Sequence, residues 1–240
     1  MKIDVYFTPL GLNAADLTGR GVVVIDVLRA TSSIVTALSA GAKAVVPAAT
    51  SEEAVRLTAN LERDGIVLAG ERRMVKIEGF GLGNSPREMT PEAVGGKTVF
   101  LATTNGTPAL VAAQGGDPVL VGAALNFSAV AERARAVFAE HGDLVIICAG
   151  REKQFALEDA YTAGRLIKAV KKGARRVALN DAAQVSFDLT GQQGGWQDAF
   201  DASDAARQLV ETGLGDDVAY CAHPDRFSVV PVYADRRITA

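Results

Sequence analysis

Aromatic residues are scarce, only 6% of 240, and the chain holds two cysteines, two histidines and one tryptophan. That poverty disfavours an aromatic-rich all-β sandwich. The 48% apolar content is carried mostly by Ala, Val and Leu, the mix expected of parallel strands covered by Ala-rich helices. Cys148 and Cys221 are too few and too far apart for a disulfide framework, and they are expected to be buried free thiols in a reducing compartment. His141 and His223 stand alone and neither cysteine has a neighbour at ligand spacing, which argues against zinc; both histidines read as surface or packing residues. No segment approaches the roughly 18 apolar residues of a membrane span. Basic residues never run beyond adjacent pairs, and 25 of them are mixed with 28 acidic ones, so binding to nucleic acid or to a membrane surface has no electrostatic footprint. The first residues lack the apolar core and cleavage site of a secretory leader, and a cytoplasmic location is expected.

Familiar catalytic signatures are missing too. There is no Gly-x-x-x-x-Gly-Lys loop; Gln154, not Arg, stands six residues after Cys148; and Leu28, not Asp, stands two after Asp26. The run Gly79-Phe-Gly81-Leu-Gly83 follows no obvious strand and leads into Asn84-Ser85-Pro86, not a helix, so it is discounted as a dinucleotide loop.

What is present is a repeated grammar of apolar strand, polar loop, helix, glycine and strand. It occurs from Val22 through a helix near Thr31 to Val46, from Thr98 through a short helix to Val121, and from Leu144 through a helix near Leu157 to Leu179. We expect an α/β fold, a three-layer α/β/α arrangement of βαβ units on mostly parallel or mixed sheets. The echo of Gly41-Ala-Lys-Ala-Val in Gly173-Ala-Arg-Arg-Val fits either two similar intertwined halves or the common use of Gly to end a helix. A boundary near residue 125 would divide an N-terminal half, 1–125, from a C-terminal half, 126–240. No linker marks it, and one globular unit is the alternative. Thr50 to Glu53 reads as a capping box for a helix ending at Gly65, Ser128 and Ser203 open further helices, and 66–69 and 227–232 read as additional strands.

Ligands of open α/β sheets bind beyond the carboxyl ends of the strands, which selects three loops. Asp26-Val-Leu-Arg29-Ala-Thr31-Ser32 places a carboxylate at the end of an apolar strand, then an arginine able to grip an oxyanion bidentately at a helix start. Alternatively, Thr31 or Ser32 is only a cap and Asp26 only fixes the loop. Thr103-Thr104-Asn105-Gly106-Thr107 could cradle a phosphate or sulfonate with backbone N–H groups, or be an ordinary Asn-Gly turn. Glu158 and Asp159 open a helix, where acids commonly serve the dipole. With Asp26 and with Glu71 of Leu68-Ala-Gly-Glu71-Arg72, they would repel one another unless a cation lay between them. Hard oxygen ligands and few histidines indicate Mg²⁺.

With these loops in view, the chain resembles the 2-phosphosulfolactate phosphatase family. The resemblance rests on Val24-Ile-Asp-Val-Leu-Arg-Ala-Thr31, Gly70-Glu-Arg72, Gly79-Phe-Gly-Leu-Gly-Asn-Ser-Pro86, Thr103-Thr-Asn-Gly-Thr107, and Cys148-Ala-Gly150 with Phe155-Ala-Leu-Glu-Asp159. It implies Mg²⁺-dependent hydrolysis of 2-phosphosulfolactate to sulfolactate and phosphate, a step toward coenzyme M, or of a related phosphorylated hydroxy acid. Gly81 departs from the family pattern, where Asp is expected, so a carboxylate there is not an essential metal ligand. The expected metal ligands are Asp26, Glu71, Glu158 and Asp159, with Asp26, Arg29, Glu71 and Asp159 as the catalytic set. Arg29, Thr31, Arg72, Asn84, Ser85, Thr104, Asn105, Gly106 and Thr107 are expected to hold the small anionic substrate. A non-catalytic phosphoacid-binding protein and a Mg²⁺-dependent lyase or isomerase are the rival classes. The Ala-rich helices could pack within one chain or across a homodimer.

Overall fold

The computed structural model describes residues 1–174 and 176–240, so Arg175 of the sequence echo lies outside the described residues. The chain starts with β1 (Lys2–Tyr6), β2 (Gly21–Ile25), α1 (Ala30–Ser39), β3 (Ala44–Ala48) and α2 (Ser51–Thr58). A hairpin of β4 (Ile66–Arg72) and β5 (Val75–Lys76) follows, then α3 (Pro91–Val94), β6 (Thr98–Ala102), α4 (Gly106–Ala112) and β7 (Val119–Gly122). Next come α5 (Phe127–His141), β8 (Asp143–Cys148), α6 (Leu157–Val170), β9 (Ala178–Leu179), α7 (Asp181–Leu189) and α8 (Trp196–Asp201). The chain closes with α9 (Asp204–Glu211), α10 (Asp216–Cys221), β10 (Val232–Ala234) and β11 (Arg237–Thr239). Among the described residues no helix is long and apolar enough to cross a membrane. Both cysteines are free and buried.

The strands form one mixed sheet in the order β5-β4-β6-β3-β11-β10-β7-β2-β8-β1-β9, the expected α/β class with helices on both faces. Side chains alternate along the strands. Val23, Ile25, Ile146 and Cys148 join the core beneath α5 and α6, whereas Val22, Val24, Val145 and Ile147 join Ile34 and Leu38 of α1 and Leu110 of α4 on the other face. Burial of both faces explains why these strands read as unbroken apolar runs.

Pairing departs from the simple βαβ expectation. β2 lies between β7 and β8, β3 beside β6, and β1 separates β8 from β9, so the two strands of each expected unit are never neighbours. The expected strand at 227–232 also shifts, to the hairpin β10/β11, whose turn residues Asp235 and Arg236 are left-handed. This hairpin runs antiparallel to β7 on one side and to β3 on the other. The two parallel groups it joins therefore run in opposite senses. Val22, Val24 and Val121 of one group and Val45, Val99 and Leu101 of the other nonetheless share one core cluster. The loops after β2, β4 and β6 meet at one cavity.

Helix ends follow local rules. Thr50 caps α2 by accepting from Glu53 N at 3.1 Å, but the helix stops at Thr58, short of the expected Gly65. Ser203 caps α9, and Gly142 ends α5 with φ 73°, a left-handed conformation that glycine adopts without a Cβ penalty. Ser128 sits one residue inside α5, its N–H and hydroxyl both bonded to Asp225.

Candidate active site

Asp26 follows β2 directly, where the strand leaves the sheet and the chain turns into α1. Thr31 closes this turn: its hydroxyl donates to the Asp26 carbonyl at 2.8 Å and accepts from the Asp26 N–H at 3.1 Å. Thr31 is fully buried, so its expected contact with substrate gives way to a role in holding Asp26. Asp26 Oδ1 accepts from Ala30 N at 3.3 Å, while Oδ2 has no hydrogen-bond partner among the described residues. Burial, reinforced by the nearby Glu71 and Glu158 carboxylates, pushes the Asp26 carboxyl up to about 7 against the opposing pull of the Ala30 N–H and Arg29.

Arg29, in the same turn, is likewise buried. It donates from Nη1 to Asp217 Oδ2 at 2.6 Å and from Nη2 to the Met74 carbonyl at 3.1 Å, and its buried Nε has no partner. Glu71, at the end of β4, accepts from Thr104 N at 2.8 Å through Oε1 and from Met74 N at 2.8 Å through Oε2. It thus ties the loop after β6 to the β4/β5 turn, where Arg73 and Met74 have φ of 50° and 68°. Asn84 and Ser85 enter from the loop after β5. Ser33 of α1 donates to the Asn84 carbonyl at 2.7 Å, and Asn84 Oδ1 is buried without a partner. Gly106 lies against Asp26 Oδ2, and Thr107 is fully buried, bonded within its own turn to Thr103.

Asp26, Arg29, Glu71, Asn84, Thr104 and Asn105 line one narrow cavity of about 30 Å³, joined there by Arg73 and Arg151. Two wider cavities flank it. One of about 440 Å³ shares Glu71, Arg73 and Thr104 and contains Arg72; the other, of about 230 Å³, shares Arg151 and contains Glu158. Arg72 turns outward, donating to Ser51 Oγ at 2.9 Å beside Glu52.

The expected four-acid cage is not assembled. Among the described residues no group of three or more His, Cys, Asp or Glu side chains is placed to hold a metal ion. Asp159 has both oxygens engaged, accepting from Val27 N at 2.9 Å and Gly150 N at 3.2 Å, which clips the loop after β2 to the loop after β8. Glu71 is engaged as above. Glu158 lies in the flanking cavity beside Ser203 and Arg151 and is pushed up to about 7, chiefly by burial. Asp159 is also raised, by burial first and then by Glu158 and Asp26. Asp26 and Asn84, which both line the central cavity, the latter with a buried and unpaired Oδ1, still offer a donor set that fits Mg²⁺, which usually takes one or two carboxylates and completes its shell with water and substrate phosphate.

This arrangement occurs in a chain whose relatives are recognisable over nearly all of its length. A family model described as 2-phosphosulpholactate phosphatase matches residues 6–236. The chain belongs to that family. A probable 2-phosphosulfolactate phosphatase of Caldanaerobacter subterraneus subsp. tengcongensis is 41% identical over 232 residues, 96% of this chain and 95% of that one. Proteins given the same name in Clostridium acetobutylicum, 36% identical over 99% of this chain and 100% of the relative, and in Thermotoga maritima, 36% identical over 95% and 94%, are similar end to end.

Members of this phosphatase family are enzymes, and three residues of the site escaped sequence reading. Asp217 lies in an Asp216-Asp217 pair that opens α10 and reads as helix-dipole acids. Arg73 is hidden behind Arg72, and only the left-handed turn shows which of the two faces the cavity. Arg151 could have been flagged, since it directly follows the Ala149-Gly150 loop.

Proposed function

We propose that this protein is a Mg²⁺-dependent phosphomonoester hydrolase that converts 2-phosphosulfolactate and water to sulfolactate and inorganic phosphate, in the cytoplasm, as a step toward coenzyme M. A related 2-phosphorylated hydroxy acid would undergo the same chemistry. The observation that carries this reading is the meeting of Asp26, Arg29 and Asn84 in one narrow cavity, with Asn84 Oδ1 buried and without a partner. The relatives' names supply the substrate class.

Asp26 and Asn84 would hold Mg²⁺, which when bound neutralises phosphoryl oxygens and polarises water. Arg29 grips the phosphoryl group, its guanidinium already oriented by two bonds to protein. Glu71 keeps the Thr104 loop and the Met74 turn closed over the site. The central cavity is too small for the whole substrate, so the acidic head extends into the wider cavity beside Arg72 and Arg73. The ester P–O bond breaks, the leaving alkoxide takes a proton, and the entering oxygen comes from water or, in a two-step route, first from Asp26. Positioning and charge stabilisation then supply most of the rate, as is usual for phosphoryl transfer.

The test is inorganic phosphate release from racemic 2-phosphosulfolactate, with Mg²⁺ and after EDTA stripping, beside a panel of phosphorylated hydroxy acids. Metal-dependent release favouring phosphosulfolactate supports reaction and substrate together. Preference for another acid keeps the chemistry and changes the substrate, and no release from any of them overturns the reading.

A further inference from the structure

We infer that Asp217 is a positioning residue for the reaction: it holds the Arg29 guanidinium in its phosphate-gripping orientation and keeps that guanidinium off the Asp26 carboxylate. This rests on the reading of Arg29 as the phosphoryl-binding group. Arg29 and Asp217 lie 188 residues apart in sequence, yet Nη1 and Oδ2 are 2.6 Å apart and each side chain is only 1% exposed. Asp217 is itself fixed, because its other oxygen accepts from Ser85 Oγ at 2.7 Å. The Met74 carbonyl restrains Nη2, leaving Nε as a buried donor without a partner.

A buried ion pair is weak evidence of stabilisation, because desolvating two charges offsets most of their attraction, and a packed apolar pair is commonly as stable. A pair retained in the wall of a cavity is better explained by what it orients. Asp26 and Glu71 line the same cavity as Arg29. Deprived of Asp217, a buried guanidinium must find another acceptor, and the Asp26 carboxylate lines the same cavity; that contact would withdraw both the anion grip and a carboxylate that would hold the metal. Asp217 neutralises Arg29 from behind, which makes the two functions compatible.

The test compares Asp217→Asn, Ser85→Ala, Arg29→Ala and the double variant Arg29→Ala/Asp217→Asn with the wild type. The readouts are KM, kcat, the inhibition constant of inorganic phosphate, and Tm. Asp217→Asn is nearly isosteric, and Ser85→Ala perturbs the same carboxylate without removing a charge. The expected result is a rise of roughly tenfold or more in KM and in the phosphate inhibition constant for Asp217→Asn, a loss in the range usual for residues that orient a ligand-binding group. Ser85→Ala should move the same constants in the same direction by less. In the Arg29→Ala background, Asp217→Asn should add nothing, since the residue acts only through Arg29. Unchanged constants in Asp217→Asn, a lowered Tm with unchanged constants, or a full additional loss in the double variant would each overturn the inference. If Arg29→Ala itself binds phosphate as the wild type does, the reading of the anion site fails first and this inference with it; if only Asp217→Asn is silent, that reading survives.

Discussion

Gly106 packs so closely on Asp26 that a Cβ at this position would stand 2.6 Å from Asp26 Oδ2, and it would also strike the Cβ of Ala30. The contact joins the first residue of α4 to the turn that starts α1, so the two helices can approach only because the side chain is absent. Gly106→Ala must push Asp26 or the Thr104 loop aside. We expect a loss of about 1–3 kcal/mol of stability, as for overpacked interiors, and a fall in kcat of the order of 100-fold, the scale of a 1 Å misplacement at a reacting centre. Gly65→Ala, where the added Cβ meets nothing within 4 Å, is the control and should behave as wild type. Steady-state kinetics and thermal melts of the two variants decide the matter, and wild-type turnover by Gly106→Ala would refute the tight contact.

The buried acids make stability depend on pH in a definite direction. Asp26 and Glu158 are pushed up to about 7 from ordinary values of 3.8 and 4.5, so between about pH 4 and 7 the folded protein binds protons that the unfolded chain has released. Without divalent metal, the stability these groups contribute should therefore be greatest at about pH 4 and below, fall as pH rises from 4 to 7, and level off above 7. Asp26→Asn removes one such group and should gain a few kcal/mol over wild type at pH 8, with little difference at pH 4. Urea denaturation at both pH values, in EDTA, is the measurement. Parallel pH curves for wild type and variant would show that Asp26 is not held protonated by the fold.

How much of this was legible in sequence depended on whether the cause was local. The apolar strands β2, β6 and β8 and the polar residues that end them could be read because strand burial on both faces and helix capping are short-range patterns. The gathering of Asp26, Glu71, Thr104 and Asn105 was expected from the rule that the ends of parallel strands share an edge, but β4 and β6 run opposite to β2, so that rule does not account for their meeting. The reversal of strand sense at β10/β11 could not be read, since it depends on three-residue strands from the end of the chain entering between β3 and β7. Nor could the partition of the acids: Asp159 and Glu158 are adjacent in sequence, yet one clips two loops and the other faces a different cavity. That difference arises from helix rotation, which places successive residues about 100° apart.

This partition separates the acids by experiment. At pH 8 Mg²⁺ should raise the Tm of the wild type, because it binds the folded state and relieves the charge on Asp26. Asp26→Asn should abolish that shift and most of the activity. Glu158→Gln should preserve the shift, since Glu158 sits beside Ser203 and Arg151 in the flanking cavity. Thermal melts against Mg²⁺ concentration distinguish the cases, and an abolished shift in Glu158→Gln would restore that residue to the metal shell.

Arg73 offers the sharpest test of where the substrate's acidic head lies. It belongs to both the central cavity and the wider one beside it, whereas Arg72 is largely exposed and engaged with Ser51 and Glu52. A cation at that junction can reach the second anionic group while Arg29 holds the phosphoryl group. Replacing it with a neutral side chain of similar length should weaken binding of substrates that carry the extra charge and spare those that lack it. Arg73→Gln should raise KM for 2-phosphosulfolactate about tenfold, the loss of one charge-assisted hydrogen bond, with kcat nearly unchanged. KM for a simple alkyl phosphate should stay within about twofold, an energy difference below RT ln 3 and so within the spread of surface substitutions. Arg72→Gln should change either constant less than Arg73→Gln does. Kinetics on the two substrates with the two variants decide it: equal losses on both would place Arg73 at the phosphoryl group, and a larger effect from Arg72 would reverse the assignment of the two arginines.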